Sequence, residues 1–407
     1  MKEKRMFYMN FHTLYPKFPF SLPMILDGAT GTALIKAGMP SGVCPEEWIL
    51  QNPDVIRGVQ SRYFEAGSDA VLAPTFGANA TVLSRYGLDG KAAEMNTALA
   101  SLSRETADGF TQKYVAGDLS PTGKMLAPIG DQTLDEMADI FSAQVRAIDA
   151  LVDFFVIETQ MDLASARAAV LGVKAVSDKP VFVTMTVTES GKTMYGDTPE
   201  CALLALSELG IAAFGLNCST GPKEMKALLA PLFPLSVSLG IPLIAKPNAG
   251  APSCDGAHTH LSPEEFAEVG KEMLAAGIAV LGGCCGTDDH VIGALARMAK
   301  DFSDFPDMPE AIETENLAAT SRETAEIPTD DMPDPIEADD DLIDNAEEMS
   351  DEYDFLYIAV RTEDDAEAVL DAAPFLTLPI AVCGEPEGIS LLKRRFCGKI
   401  VTVSDNG

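Results

Sequence analysis

The sequence predicts a (β/α)8 barrel, followed by a disordered acidic linker and a small α/β segment. Three observations lead there. Over residues 24–301, short apolar runs alternate with amphipathic helical stretches through eight rounds. The residues able to do chemistry collect where the apolar runs end, which is where such a barrel builds its site. After Phe302 the composition turns abruptly acidic, and order resumes only near Tyr353.

In chain order, residues 1–23 are an N-terminal extension. Met1-Lys2-Glu3-Lys4-Arg5 is followed by aromatics, Pro16 and Pro19, without the continuous apolar core of a signal peptide. The strand candidates are 24–29, 70–75, 114–119, 154–158, 181–187, 213–217, 242–247 and 279–283. Helical stretches between them include 53–66, 134–151, 162–176, 199–209, 222–232 and 263–276. Thr198-Pro199-Glu200 and Ser262-Pro263-Glu264-Glu265 are helix starts, and Gly67, Gly210, Gly240 and Gly277 are stops. No G-x-G-x-x-G follows the first strand, which argues against an open dinucleotide-binding sheet.

The strand ends carry the candidate site. Asp27-Gly28-Ala29 closes the first run, Glu158 the fourth, Asn217-Cys218 the sixth, Asn248 follows the seventh, and Gly282-Gly283-Cys284-Cys285-Gly286 the eighth. Adjacent cysteines do not readily bond to each other, because a disulfide needs a specific Cβ–S–S–Cβ geometry. Both can bind one metal, and the flanking glycines let the backbone aim both sulfurs at one point. Three thiolates with a fourth position open describe a catalytic zinc site rather than a closed structural one. The competing reading is three buried, inert cysteines. For Asp27 and Glu158 it is helix capping or a salt bridge inside the barrel.

The net charge of −33 argues against nucleic acid and anionic membrane surfaces. More than half of it lies in residues 302–352, where about twenty acids face the single Arg322. That stretch reads as a solvated spacer, or else as an acidic docking tail. Eight irregularly spaced cysteines suit a reducing compartment, and no apolar run is long enough to span a membrane, so a soluble cytoplasmic protein is expected. Residues 353–407 read as strand, helix, strand, helix, strand, a marginal size for an independent core.

Taken together, the corners resemble those of the homocysteine S-methyltransferase family, most closely the homocysteine-binding modules of cobalamin-dependent methionine synthases. The matching stretches are Leu26-Asp27-Gly28-Ala29-Thr30-Gly31-Thr32, Pro74-Thr75-Phe76-Gly77-Ala78-Asn79, Gly117-Asp118 with Ser120-Pro121-Thr122-Gly123, and Ile157-Glu158-Thr159. Gly215-Leu216-Asn217-Cys218-Ser219, Lys246-Pro247-Asn248-Ala249-Gly250 and Gly282-Gly283-Cys284-Cys285-Gly286-Thr287 complete the ordered set, one per strand end. The resemblance implies a zinc ion held by Cys218, Cys284 and Cys285, with homocysteine sulfur as fourth ligand during turnover and Asn248 filling that position beforehand. It implies that Asp27 and Glu158 bind the substrate ammonium, that N–H groups around Gly28 and Ala29 receive its carboxylate, and that Asn217 orients the site.

The expected reaction is methionine formation. The expected donor is methylcobalamin on a separate corrinoid protein, with a folate-binding methyltransferase as a further partner. Full-length methionine synthases continue into a folate-binding barrel and cobalamin domains; residues 378–404 faintly resemble a piece of that folate-binding barrel. The alternatives are S-methylmethionine or betaine as donor, or a non-catalytic zinc- or thiol-binding module.

Three features read as decoys. Asp288-Asp289-His290-Val291-Ile292-Gly293 fits a corrinoid-binding D-x-H-x-x-G pattern, but it opens the barrel's last helix rather than a loop of a separate domain. His258 and His260, with Cys254 nearby, read as an exposed loop. Cys44, Cys201, Cys383 and Cys397 read as packing or surface residues.

Overall fold

The computed structural model describes residues 10–250, 261–328, 330 and 332–403. His258, His260 and Cys254 lie outside the described residues. The chain forms two compact units: Met1–Thr193 with Ile211–Ala311, and Met194–Gly210 with Ile312–Gly407.

The first unit holds eight strands: β1 (Met24–Ile25), β2 (Ala70–Leu72), β3 (Tyr114–Leu119), β4 (Phe154–Gln160), β5 (Val181–Met185), β6 (Ala213–Asn217), β7 (Leu243–Lys246) and β8 (Ile278–Leu281). They pair in parallel in the order β1-β8-β7-β6-β5-β4-β3-β2. The seam between β1 and β2 is closed largely by carboxylates. Asp69 N–H donates to Ile25 O at 2.6 Å and Asp69 Oδ2 accepts from Ile25 N–H at 2.7 Å. Above them, Asp27 Oδ2 accepts from Leu72 N–H at 2.8 Å. The expected (β/α)8 barrel is therefore present.

Alternation along the strands decides which residues enter the interior. A Cβ on Gly117 would come within 2.8 Å of Phe155 and 2.9 Å of the helix residue Ile148, so that face of β3 lies against the helices and Asp118 points inward. Opposite the site, Phe18 stacks on Phe182 with centroids 5.6 Å apart, and Phe20 meets Phe154 at 5.0 Å. Part of the predicted N-terminal extension thus plugs the barrel end where β4 and β5 begin. Helix starts follow the sequence signals. Ser262 and Glu265 form a reciprocal capping box with Pro263 in the first turn, as Thr133 and Glu136 do for the Leu134–Ile148 helix. Among the described residues, no helix is long and apolar enough to cross a membrane.

In the second unit, parts of the stretch expected as a disordered linker, 302–352, form regular structure. There, β9 (Leu317–Ala319) pairs antiparallel with β10 (Thr324–Glu326), and β11 (Ile336–Glu337) begins a parallel sheet. That sheet continues through β12 (Leu356–Val360), β13 (Ile380–Gly384) and β14 (Val401–Thr402), each beside the next. One face packs Leu356, Ile358, Val360, Ile380 and Val382 against helical residues including Leu342, Ala346, Val369 and Leu392. The other packs Tyr357, Ala359, Ala381 and Cys383 against Ala318, Ala325 and Ile327. Within the acidic stretch Ala318, Ala319, Ala325, Ile327, Leu342 and Ala346 are buried, while its described carboxylates stay exposed; average composition conceals that spacing. The Pro199–Ser207 helix, which follows β5 in the chain, also groups with this unit, where Thr198 N–H donates to Ser321 O at 3.0 Å. The stretch beginning at Phe302 starts packed as well, with Phe305 edge-on to Phe11 at 5.4 Å.

Candidate metal and substrate site

The three expected cysteines meet. The Sγ atoms of Cys218, Cys284 and Cys285 all lie within 4.8 Å of one another, and those of Cys218 and Cys285 are 4.0 Å apart. The backbone aims them: Cys218 N–H donates to Lys246 O at 3.1 Å, Cys284 N–H to Pro247 O at 2.8 Å, and Ala249 N–H to Cys285 O at 2.9 Å. The end of β7 is the strut between both cysteine-bearing corners. Cys218 and Ser219 hold φ values of 61° and 58°, left-handed conformations that non-glycine residues adopt at a cost. Hydrogen bonding from Cys284 and then Cys285 makes Cys218 the readiest thiolate, and the same sharing pushes the Cys284 thiol upward.

A divalent soft metal fits this arrangement. A tetrahedral site with Zn–S bonds of about 2.3 Å has S···S edges of about 3.8 Å, close to the observed spacing. Asn248 reaches Cys218 with its side chain, while its Oδ1 is buried with no donor among the described residues. Asn248 thus stands next to the sulfur cluster with an amide oxygen that has no other engagement among the described residues.

Asn217 is fully engaged. Its Oδ1 accepts from Thr159 N–H at 2.8 Å and Thr184 Oγ1 at 2.9 Å, and its Nδ2 donates to Thr159 Oγ1 at 2.8 Å and Cys284 Sγ at 3.9 Å.

Inside the barrel mouth lies a charge layer of Asp27, Asp118, Glu158 and Lys246, all buried. Lys246 Nζ sits 2.7 Å from Glu158 Oε2. Burial works against the lysine's charge, yet Glu158, Asp27 and Asp118 hold its pKa above the ordinary value. Burial pushes the Asp27 carboxyl up to about 7 although Lys246 and the Leu72 N–H pull it down, and burial with Glu158 raises Asp118 well above the usual range. Asp27 Oδ1 and Asp118 Oδ1 have no donor among the described residues. Three acidic side chains share one lysine here, and burial favours the protonated form of two of them, Asp27 and Asp118.

At Gly28, an added Cβ would come within 2.9 Å of both Thr287 Oγ1 and Tyr63 Oη. Ala29 N–H donates to Thr287 Oγ1 at 3.2 Å, so that expected carboxylate-binding group already has an acceptor. Thr287 Oγ1 in turn donates to Cys284 O at 2.7 Å, tying the first strand's corner to the eighth's.

Lys246, Asp118, Thr159, Thr184 and Thr287 were not singled out from sequence. A lysine ending an apolar run is the signal for a buried ion pair, whereas the contacts of Thr159 and Thr184 with Asn217, and of Thr287 with Ala29, span more than 30 residues and leave no local trace. Asp288 caps the Asp289–Lys300 helix, its Oδ1 accepting from Val291 N–H at 3.3 Å, which fits the rejection of the corrinoid-like pattern. Cys44 and Cys201 are buried, with thiols pushed up to about 11 chiefly by burial, as packing residues would be.

Comparison with known proteins agrees with this geometry. The family model described as homocysteine S-methyltransferase matches residues 24–299. A methionine synthase of Mycobacterium leprae is 35% identical over 297 residues, covering 68% of this chain and 24% of that protein. A methionine synthase of Mycobacterium tuberculosis is 34% identical over 296 residues, with the same coverage. The chain thus spans about a quarter of the length of these curated relatives. Among solved structures, the metallated form of the homocysteine methyltransferase MmuM from Escherichia coli superposes with a TM-score of 0.57, covering 67% of this chain and 95% of that one. At 22% identity that likeness concerns the fold. With the family match running across every strand of the barrel, the chain belongs to the homocysteine S-methyltransferase family.

Proposed function

We propose that this chain is a zinc-dependent homocysteine S-methyltransferase that forms methionine, with methylcobalamin on a separate corrinoid protein as donor. The observation that carries the reading is the convergence of three sulfurs, with the Asn248 side chain against one of them, in a chain of this family. Cys218, Cys284 and Cys285 would hold the zinc, and Asn248 would be the protein group able to complete the site before substrate arrives. Zinc, when bound, supplies a substrate sulfur that is thiolate at neutral pH, where a free thiol is largely protonated.

The chain's own residues place that sulfur. Asp27 and Glu158 take the ammonium; a buried carboxylate without a partner is costly. The carboxylate is received at Gly28 and Ala29, where it competes with Thr287 for the Ala29 N–H. Asn217 steadies Cys284. With both ends of the amino acid fixed, the sulfur faces the open barrel mouth, so the methyl group arrives in line. The new S–CH3 bond forms as the methyl-to-donor bond breaks, and the donor departs with that electron pair. Methylcobalamin as donor is supported by the resemblance of the strand-end corners to the homocysteine-binding modules of cobalamin-dependent methionine synthases, with methionine synthases 34–35% identical over this region.

The test is zinc content together with homocysteine binding on protein purified under reducing conditions. About one zinc per chain, with proton release on adding homocysteine, supports the reading; no zinc under those conditions overturns it. Turnover with free S-methylmethionine or betaine and no corrinoid protein would overturn the donor assignment alone.

A further inference from the structure

We propose that Thr159 is a positioning residue for the metal centre, fixing the Asn217 carboxamide so that one of its N–H groups is held on the Cys284 sulfur. This rests on the zinc reading of the three cysteines. Thr159 lies at the end of β4 with φ 62°, a left-handed conformation that is especially unfavourable for a β-branched residue. Such strain persists where surrounding contacts over-determine it. Here, among the described residues, Asn217 holds both the backbone and the side chain: Thr159 N–H donates to Oδ1, and Thr159 Oγ1 accepts from Nδ2.

These two contacts settle which way the amide points. A backbone N–H can only donate, so the amide atom facing it is the oxygen, and Thr184 Oγ1 donates to the same oxygen. The nitrogen is therefore on the far side. One of its hydrogens goes to Thr159 Oγ1, and the other has Cys284 Sγ at 3.9 Å. Asn217 is buried, so rotating the amide would set its oxygen against sulfur and its nitrogen against N–H. An N–H directed at a thiolate draws off negative charge and orients the ligand, as contacts behind metal ligands generally do. Thr159 also follows Glu158 directly, so the same strained turn links the ammonium-binding carboxylate to the sulfur cluster.

The experiment uses the full chain with Thr159→Val, which keeps the shape and loses the hydroxyl, and Thr159→Ser, which keeps the hydroxyl. Zinc affinity is measured by chelator competition, and the thiolate-to-metal charge-transfer band is recorded on the cobalt(II)-loaded protein. Thr159→Val weakens zinc binding ~10-fold or more and shifts the band, and Thr159→Ser restores both. Wild-type affinity and band in Thr159→Val, or Thr159→Ser behaving like Thr159→Val, overturns the proposal. Should Thr159→Val fail to fold, Thr159→Ala removes the hydroxyl without the branched side chain's strain and faces the same two outcomes. Failure of the wild-type chain to bind about one zinc would instead overturn the zinc reading on which this stands.

Discussion

Lys246 Nζ and Glu158 Oε2 are 2.7 Å apart, with side chains only 4% and 11% exposed, and two further carboxylates lie in the same layer. The pair joins β7, whose end carries the backbone struts to Cys218 and Cys284, to β4, whose end carries the Thr159 clamp. Removing the lysine alone leaves three buried acids without a counter-charge. Lys246→Met is therefore expected to lower stability by about 3–5 kcal/mol, read from urea unfolding at pH 7. Adding Glu158→Gln to the same chain should recover part of the loss. If Lys246→Met unfolds at the wild-type midpoint, the ion pair is not holding the layer together.

Cys218 stands where two sulfur neighbours and the Asn248 side chain converge. Cys218→Ser should drop zinc from about one per chain to a small fraction, measured by elemental analysis after dialysis, and abolish methionine formation. The barrel itself should survive, because Cys218 packs at a corner and not in the apolar interior. A variant that still retains a full equivalent of zinc would move the metal away from these three sulfurs.

Much of this was legible in the sequence because barrel strands are short, apolar and punctuated. Tyr114–Leu119 and Ala213–Asn217 fall on their predicted bounds, and the Pro53–Ala66 helix runs from its proline to the residue before Gly67. Other strands are shorter than expected: residues 26–29 leave β1 to become the corner that holds Asp27 and Gly28. The acidic region misled because charge density there is real, yet Ala318, Ile327 and Leu342 still find burial. At the site, cysteine spacing and glycines betray the metal centre. The partners of Glu158 and Asn217 come from strands far away in the chain, so only the closed barrel shows that Glu158 meets Lys246 and Asn217 meets Thr159.

Asp27 links pH to stability. Its folded pKa of about 7, raised chiefly by burial, exceeds the unfolded value of about 3.9. Between those values the folded state holds the proton more tightly than the unfolded state does, so stability falls as pH rises through this window. The slope should approach about 1.4 kcal/mol per pH unit within the window and flatten below pH 4 and above pH 7. Asp27→Asn keeps an oxygen for the Leu72 N–H and removes the titration. Urea unfolding of both proteins at matched zinc loading, from pH 5 to 8, should show wild type losing ground to the variant. Parallel curves would mean that Asp27 stays ionised throughout.

Gly28 is a crowded point of the proposed substrate corner. A methyl group there would press on Thr287 Oγ1 and Tyr63 Oη, each 2.9 Å from the built Cβ. Tyr63 Oη also donates to Ala29 O at 3.2 Å, and Thr287 bridges Ala29 N–H to Cys284 O, so neither hydroxyl can yield without cost. Gly28→Ala should destabilise the protein by about 1–3 kcal/mol and weaken homocysteine binding while leaving zinc content unchanged. Calorimetric titration with homocysteine beside 4-mercaptobutanoate, which lacks the ammonium, reads where the damage falls. Both ligands carry a carboxylate and should weaken together, whereas Glu158→Gln should weaken homocysteine alone. Unaltered binding of both in Gly28→Ala would place the substrate carboxylate away from this corner.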